Sequence, residues 1–115
     1  MERISAPALT VPIARDHVRH VWHLYPIRLR LEAIGIDRAA FIEELKARKI
    51  GASVHFIPVH LHPYYRDKFG FKRGDFPAAE AAYDAEISLP IYQRMSDGDI
   101  QDVIEAVLEI CEQNK

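Results

Sequence analysis

The chain has 115 residues, of which 49% are hydrophobic and 28% are charged, and its formal net charge is −2. This composition suits one folded domain and excludes a disordered chain, and the small net charge gives no reason to expect nucleic acid or an anionic membrane as a partner. No apolar run approaches the ~20 residues that cross a bilayer. The single cysteine, Cys111, fits a reducing compartment, so a cytoplasmic location is predicted.

The N-terminal part of the chain predicts a linker followed by a strand. Residues 1–17 contain two prolines and show no sustained period, as expected for a linker or for the stub of something removed, with a short extended piece from Leu9 to Ile13. From His20 to Leu31 the pattern alternates and predicts a strand. Pro26 removes a ladder donor, which favours a sheet edge or a bulge. The face predicted to point inward consists of Val21, His23, Tyr25, Ile27 and Leu29.

The middle of the chain predicts two helices around a second strand. Asp37 is positioned to cap a helix that runs to about Lys49. The alternating segment Ala52–Ile57 predicts a strand. Pro63–Phe69 predicts a short helix that ends at Gly70.

The C-terminal part predicts a helix, a strand and a long final helix. A helix is expected to begin at Asp75-Phe76-Pro77, and Glu86–Ile91 predicts a short strand interrupted by Pro90. Ser96 to Asp99 resembles a capping box, which begins the final helix. The apolar stripe of that helix is predicted to be Ile100, Val103, Ile104, Val107, Leu108 and Cys111. The resulting order β-α-β-α-α-β-α predicts an α+β domain over residues 18–115, a small sheet of three or four strands with helices packed on it.

The segment Gly51–Arg66 concentrates polar side chains at the end of a predicted strand. It holds three of the six histidines of the chain, His55, His60 and His62. Scaffolds often place binding residues at strand ends and in the loops that follow. Three histidines also suggest a zinc site, but such sites usually include carboxylate or thiolate ligands at defined spacings, so no metal is predicted. A half-buried histidine that is satisfied by a backbone hydrogen bond is the alternative to a binding role for His55.

Several motifs of the chain resemble one enzyme family. Gly51–Arg66 is similar to the signature VHY-x-P-x-H-x-x-P-Y-Y-R, Val21–Arg28 to AWHLY, and Gly74–Glu80 to GDFPVAE. The segments Leu89–Tyr92 and Met95–Ile100 together are similar to SLPLYPxMTDEDV. In order and spacing these motifs resemble the C-terminal small domain of the pyridoxal-phosphate-dependent sugar aminotransferases of the DegT/DnrJ/StrS type, which have the fold-type I architecture.

The resemblance implies a larger enzyme that transfers an amino group from an amino acid to a keto-sugar carried on a nucleotide. It implies pyridoxal phosphate as cofactor, a homodimer when the protein is complete, and a large domain with the Schiff-base lysine that this chain lacks. We therefore predict no catalytic residue here, no activity of the chain alone and no pyridoxal phosphate bound to it. The domain would close one wall of the active-site cleft, with His55, His60 and Tyr64 lining it. For Tyr64, a cover over the end of the sheet is the alternative.

A second class of function stays open at this point. The chain could be a stand-alone, non-enzymatic interaction or dimerisation module from a shortened gene. The reading frame upstream of Met1 distinguishes the two, because only a fragment of an enzyme would continue into a segment with the Schiff-base lysine.

Overall fold

A computed structural model describes residues 4–115, and within them three strands form one antiparallel sheet. Strands β1 (Leu9–Thr10), β2 (Tyr25–Leu29) and β3 (Glu86–Leu89) follow the order β1-β2-β3. The same residues form helices α1 (Arg38–Ala47), α2 (Pro63–Phe69), α3 (Pro77–Ala85) and α4 (Asp97–Gln113), and a short 3-10 helix spans Val59–Leu61. The predicted α+β class, a small sheet with helices packed on it, is confirmed. No helix of the described residues is long and apolar enough to cross a membrane.

One hydrophobic core lies between the sheet and the helices α1 and α4. Tyr25, Ile27 and Leu29 point into it from β2, as the alternating pattern predicts. Phe41 and Leu45 enter it from α1 and are fully buried. The remaining buried apolar residues are Ile4, Ala8, Leu9, Ile34, Ile87, Leu89, Val103, Ile104, Ala106, Val107, Ile110 and Cys111.

The capping residues that were identified in the sequence lie at the ends of the helices in the structure. The Asp37 side chain accepts a hydrogen bond from Ala40 N–H at 2.8 Å and caps α1. Ser96 and Asp99 form the complete capping box of α4, and the hydrogen bond from Ser96 N–H lowers the pKa of the Asp99 carboxyl. Helix α2 ends at Gly70, whose φ of 69° lies in the left-handed region that glycine adopts without strain.

The apolar stripe of α4 is rotated slightly from the predicted one. Ile110 is fully buried, whereas the prediction that Leu108 is buried is wrong, because it packs against the core while remaining partly exposed. Cys111 is buried, as predicted for a packed thiol, and burial raises its pKa to about 11.

Strand β2 begins at Tyr25 rather than at His20. Trp22 has a φ of 48°, which is typical of a turn and interrupts the extended backbone. As a consequence Val21 and His23 are exposed, and their predicted inward position is wrong. The ring of Trp22 stacks on His20 and packs against the core.

Pro26 lies in the central strand, although a sheet edge or a bulge was predicted. It pairs with Ser88, whose backbone N–H and C=O are both bonded to Ser53 on the opposite side of β3. Pro26 is therefore a non-hydrogen-bonded position of the β2–β3 ladder, and its missing N–H would point toward β1. Because β1 ends at Thr10, which pairs with Arg28, no residue of β1 lies opposite Pro26 to require that N–H.

The strand predicted over Ala52–Ile57 is reduced to a single bridge between Ser53 and Ser88. In an antiparallel pair, the next hydrogen-bonded positions on β3 would be Pro90 and Glu86. Pro90 has no N–H, and the N–H of Glu86 is donated to Ala82 O at the end of α3. Both neighbouring donors are thus unavailable, and the pairing cannot extend.

Part of the segment predicted as a linker belongs to the core. Ile4, Ala8 and Leu9 are buried, and Ala8 O accepts a hydrogen bond from Arg30 N–H at 2.7 Å. The beginning of the predicted linker, residues 1–3, lies outside the described residues. A domain boundary near residue 17 stays a prediction.

Candidate functional site

His55 is attached to β3 through one ring nitrogen. Its Nδ1 lies 2.9 Å from Oγ of Ser88, which is only 4% exposed. The His55 side chain is half-buried, and its ring meets the exposed Phe56 edge to face, with 4.7 Å between the centroids. With Nδ1 engaged, Nε2 is a donor or an acceptor depending on the tautomer, which is the property required of a group that binds a polar substrate or moves a proton.

A half-buried carboxylate of β3, that of Glu86, lies close to this histidine. Burial raises the pKa of Glu86, while the positive charges of His55, Arg28 and Arg38 act in the opposite direction. The outer face of the sheet near His55 is therefore polar and contains groups of both signs.

His60 is buried and faces a second carboxylate. Only 5% of His60 is exposed, and its Nε2 lies 3.3 Å from Oε2 of Glu80. This contact is an ion pair by distance when the imidazole is protonated, but its geometry is not that of a regular hydrogen bond, and Nε2 has no hydrogen-bond partner among the described residues. The His60 ring packs against Phe76 with 4.8 Å between the centroids. The structure thus encloses His60, in contrast to the expected open position at a cleft.

Tyr64 lies on the exposed helix α2. It is 60% exposed, its OH accepts a hydrogen bond from Lys68 Nζ at 3.0 Å, and its ring contacts Tyr65 edge to face. Arg66 on the same helix is also exposed. These groups form an open aromatic and cationic surface that a polar or planar ligand could contact.

The three predicted residues occupy three different environments. His55 contacts β3, His60 contacts α3, and the hydrogen bond and ring contact of Tyr64 are both made within its own helix. A cleft of about 900 Å³ between residues 11–14 and the start of α4 contains none of them. Their roles in binding stay predictions.

Residues 4–115 offer neither a buried lysine nor a cluster of metal ligands. The lysines Lys46, Lys49, Lys68, Lys72 and Lys115 are all exposed. Residues 4–115 contain no group of three or more His, Cys, Asp or Glu side chains that could hold a metal ion.

Glu80 is the residue that sequence reasoning missed. In an alanine-rich helix it looks like a solvent-facing charge, but it is 6% exposed and accepts hydrogen bonds from Gly74 N–H and Phe76 N–H. A signal existed, because an acidic residue in the first turn of a helix can reach back to the unpaired N–H groups before it. Glu80 stands in this relation to Phe76, the N-cap residue of α3.

Comparisons with known proteins agree with the motifs. The model of the DegT/DnrJ/EryC1/StrS aminotransferase family matches residues 4–108. The chain is 54% identical over 107 residues to the uncharacterized protein MJ1066 of Methanocaldococcus jannaschii, covering 93% of this chain and 28% of that protein. It is 50% identical over 105 residues to the spore coat polysaccharide biosynthesis protein SpsC of Bacillus subtilis, covering 90% of this chain and 27% of SpsC.

Among solved structures, the crystal structure of S. venezuelae DesV in complex with a ketimine intermediate has the same fold. It matches with a TM-score of 0.80 and 31% identity, over 92% of this chain and 27% of DesV. The chain therefore spans little more than a quarter of the length of the curated relatives and of this structure.

Proposed function

We propose, since this chain belongs to the DegT/DnrJ/EryC1/StrS aminotransferase family, that it is the C-terminal small domain of a sugar aminotransferase. The full-length enzyme would use pyridoxal phosphate to transfer an amino group from an amino acid to a nucleotide-linked keto-sugar. The observation that carries this proposal is the family match over residues 4–108 by a chain that spans only about a quarter of its relatives. The name of SpsC, a polysaccharide biosynthesis protein, supports a sugar as the acceptor.

The cofactor would be held by parts of the enzyme outside this chain. A lysine that forms an imine with a cofactor is activated by desolvation or by a neighbouring cation. None of the five lysines is desolvated, so the residues of this chain do not fit the covalent attachment of pyridoxal phosphate. The large domain, the amino-acid donor, the nucleotide-sugar and a second copy of the enzyme are accordingly the proposed partners, and a cytoplasmic location stays a prediction.

The share of this domain would be one wall of the active-site cleft. His55 supports this role because it is fixed through Nδ1 while its side chain remains partly open. Tyr64 supports it through its exposed hydroxyl beside Lys68. His60 is enclosed by Glu80 and Phe76. We therefore propose that His60 contributes to the wall indirectly, by holding residues 61–75, which include Tyr64, in place.

The proposal is tested with the protein encoded by the full reading frame. Incubated with pyridoxal phosphate, glutamate and a panel of nucleotide-linked keto-sugars, it is expected to form an amino-sugar and 2-oxoglutarate in equal amounts. The same mixture without keto-sugar is the control. Absence of product with the whole panel, from a folded protein that has bound the cofactor, would refute a sugar acceptor.

The isolated 115-residue chain is expected not to retain pyridoxal phosphate as an imine, because all its lysines are solvated. The chain is incubated with the cofactor at neutral pH and desalted, and its absorbance spectrum is recorded before and after borohydride reduction. A retained, reducible absorbance that disappears on mutation of one particular lysine would show that this chain has a cofactor site of its own.

A further inference from the structure

Residues 56–76 project from the sheet and its packed helices, and they form no hydrophobic core of their own. We call this segment the aromatic arm. His60 is its only buried residue. Helix α2 within it has no buried residue and packs chiefly on the 3-10 helix Val59–Leu61. The exposed large apolar residues of the arm are Phe56, Ile57, Val59, Tyr64, Tyr65, Phe69 and Phe76.

One buried carboxylate connects both ends of the arm to the body. Both oxygens of Glu80 lie 2.9 Å from Gly74 N, and Oε2 also accepts from Phe76 N–H at 3.3 Å. The same Oε2 lies 3.3 Å from Nε2 of His60, near the start of the arm. Glu80 itself is on α3, which packs against β2.

The other charged groups around this carboxylate lie at the end of the arm and on α3. Arg73 Nε is 3.9 Å from Glu80 Oε1, and the guanidinium of Arg73 is paired with Asp84 at 2.6 Å. Burial alone raises the pKa of Glu80, but the hydrogen bonds from Gly74 and Phe76 and the contact with His60 outweigh it, so the pKa is lowered. Glu80 is therefore ionised at neutral pH and acts only as an acceptor.

We propose that Glu80 is a positioning residue, whose carboxylate fastens the aromatic arm to α3 and thereby fixes Tyr64 and the residues around it. The effect on substrate rests on the proposed function, while the fastening of the arm does not. An amide in place of the carboxylate has one oxygen and an NH2 group. Its oxygen can still accept from the Gly74 and Phe76 N–H groups, but an NH2 donor replaces the second oxygen that Gly74 N–H contacts, and the charge that attracts His60 is lost.

Backbone amide hydrogen exchange tests the fastening in the 115-residue chain, because it follows the arm and the core separately. In Glu80→Gln, the amides of Arg66 and Gly70, both hydrogen-bonded within α2, are expected to exchange at least about tenfold faster. A released helix of 7 residues is too short to persist by itself. The amides of Ile27 and Val107 in the core are expected to keep their rates. Glu43→Gln changes an exposed glutamate with one loose ion pair to Lys46 and should leave both sets unchanged.

Gly74→Ala tests the same contact from the other side if Glu80→Gln does not fold. Gly74 has a φ of 100°, which strains any residue with a Cβ, while the space around it is open. The substitution should therefore disturb the turn that donates to Glu80 and leave the core intact, with the same rise in arm exchange. Gly51→Ala, at an open position without a positive φ, is its control. Arm exchange at the wild-type rate in the folded variants, or core exchange that rises by the same factor, would overturn the proposal.

The pH dependence of amide exchange in the arm is a third test, and the direction of the change can be predicted. The lowered pKa means that the ionised form stabilises the fastened arm at pH values above the ordinary carboxyl pKa, and this stabilisation is lost as the pH falls through the lowered value. After correction for the intrinsic exchange rate, arm amides of the wild-type chain should lose protection over that range before core amides do. The difference should be absent in Glu80→Gln, and its persistence there would assign the acid effect to another group.

The effect of Glu80 on substrate binding is measured by steady-state kinetics of the full-length enzyme. Glu80→Gln is expected to raise KM for the keto-sugar by at least about fivefold, which is about 1 kcal/mol, while kcat changes less. The half-reaction with glutamate alone should keep its rate, which a general loss of folded enzyme would not allow. Faster arm exchange with an unchanged KM would refute the positioning of substrate, and the aminotransferase assignment would stand. No transamination by the wild-type enzyme would instead refute the proposed function.

Discussion

Phe41→Ala is expected to lower the free energy of unfolding by about 3–5 kcal/mol, as aromatic-to-alanine changes in cores do. Phe41 is fully buried and is the largest of the side chains that this core encloses completely. It lies on α1, which packs against β3 and α4, so the cavity would open inside the hydrophobic core. A domain has a total stability of about 5–15 kcal/mol, which makes this loss a large fraction of it.

Urea unfolding followed by circular dichroism measures this loss, and Phe69→Ala is the matched control. Phe69 is the same residue type on α2 but is 56% exposed, so its removal should cost no more than about 0.5–1 kcal/mol. Equal losses in the two variants would mean that the arm contributes as much to global stability as the core. This would also contradict the independence of the arm on which the exchange experiment depends.

The helices could be predicted from the sequence because their signals are local. Asp37 caps α1, Pro63 and Gly70 bound α2, and the Ser96–Asp99 box begins α4, each within one or two turns of the helix it specifies. These interactions exist as soon as the turn forms and need no partner elsewhere in the chain. Their agreement with the structure is therefore expected on physical grounds.

The strands were predicted less well because their partners are remote. Ala52–Ile57 alternates like a strand, yet its pairing depends on donors of β3 more than thirty positions along the chain, and these are absent at Pro90 and used at Glu86. The extent of β2 depends on the left-handed backbone of Trp22, which no local rule assigns to tryptophan. Long-range hydrogen bonding therefore limits the pairing of Ala52–Ile57, and backbone geometry sets the start of β2.

The candidate site shows the same difference between local features, which the sequence reveals, and long-range contacts, which it does not. The histidine-rich segment was identifiable from composition and from its resemblance to the family, but the contacts of each side chain were not. Whether His60 is open or enclosed depends on Glu80, which arrives from a helix twenty positions later. Sequence therefore indicated where polar chemistry is concentrated, and tertiary packing determined which of these groups remain accessible.

His55→Ala in the full-length enzyme is expected to lower kcat/KM for the sugar substrate by at least about tenfold, or ~1.4 kcal/mol of transition-state binding. The half-buried ring has one hydrogen bond, to Ser88 Oγ, so the free energy of unfolding should fall by no more than about 1 kcal/mol. Steady-state kinetics and thermal unfolding of the same preparations give both quantities.

Two further variants distinguish the effect of the His55 ring from the effect of the Ser88 hydroxyl that orients it. Ser88→Ala removes the group that holds Nδ1 but keeps the imidazole, and a smaller loss of kcat/KM is expected because the ring can still reach substrate while being less well oriented. His17→Ala, which removes an exposed histidine that takes no part in this contact, should change neither quantity. If His55→Ala instead lowers stability by several kcal/mol and the folded fraction keeps wild-type kinetics, the histidine is a structural part of the sheet. In that case the wall of the cleft must be sought on the aromatic arm alone, where Tyr64 carries the exposed hydroxyl.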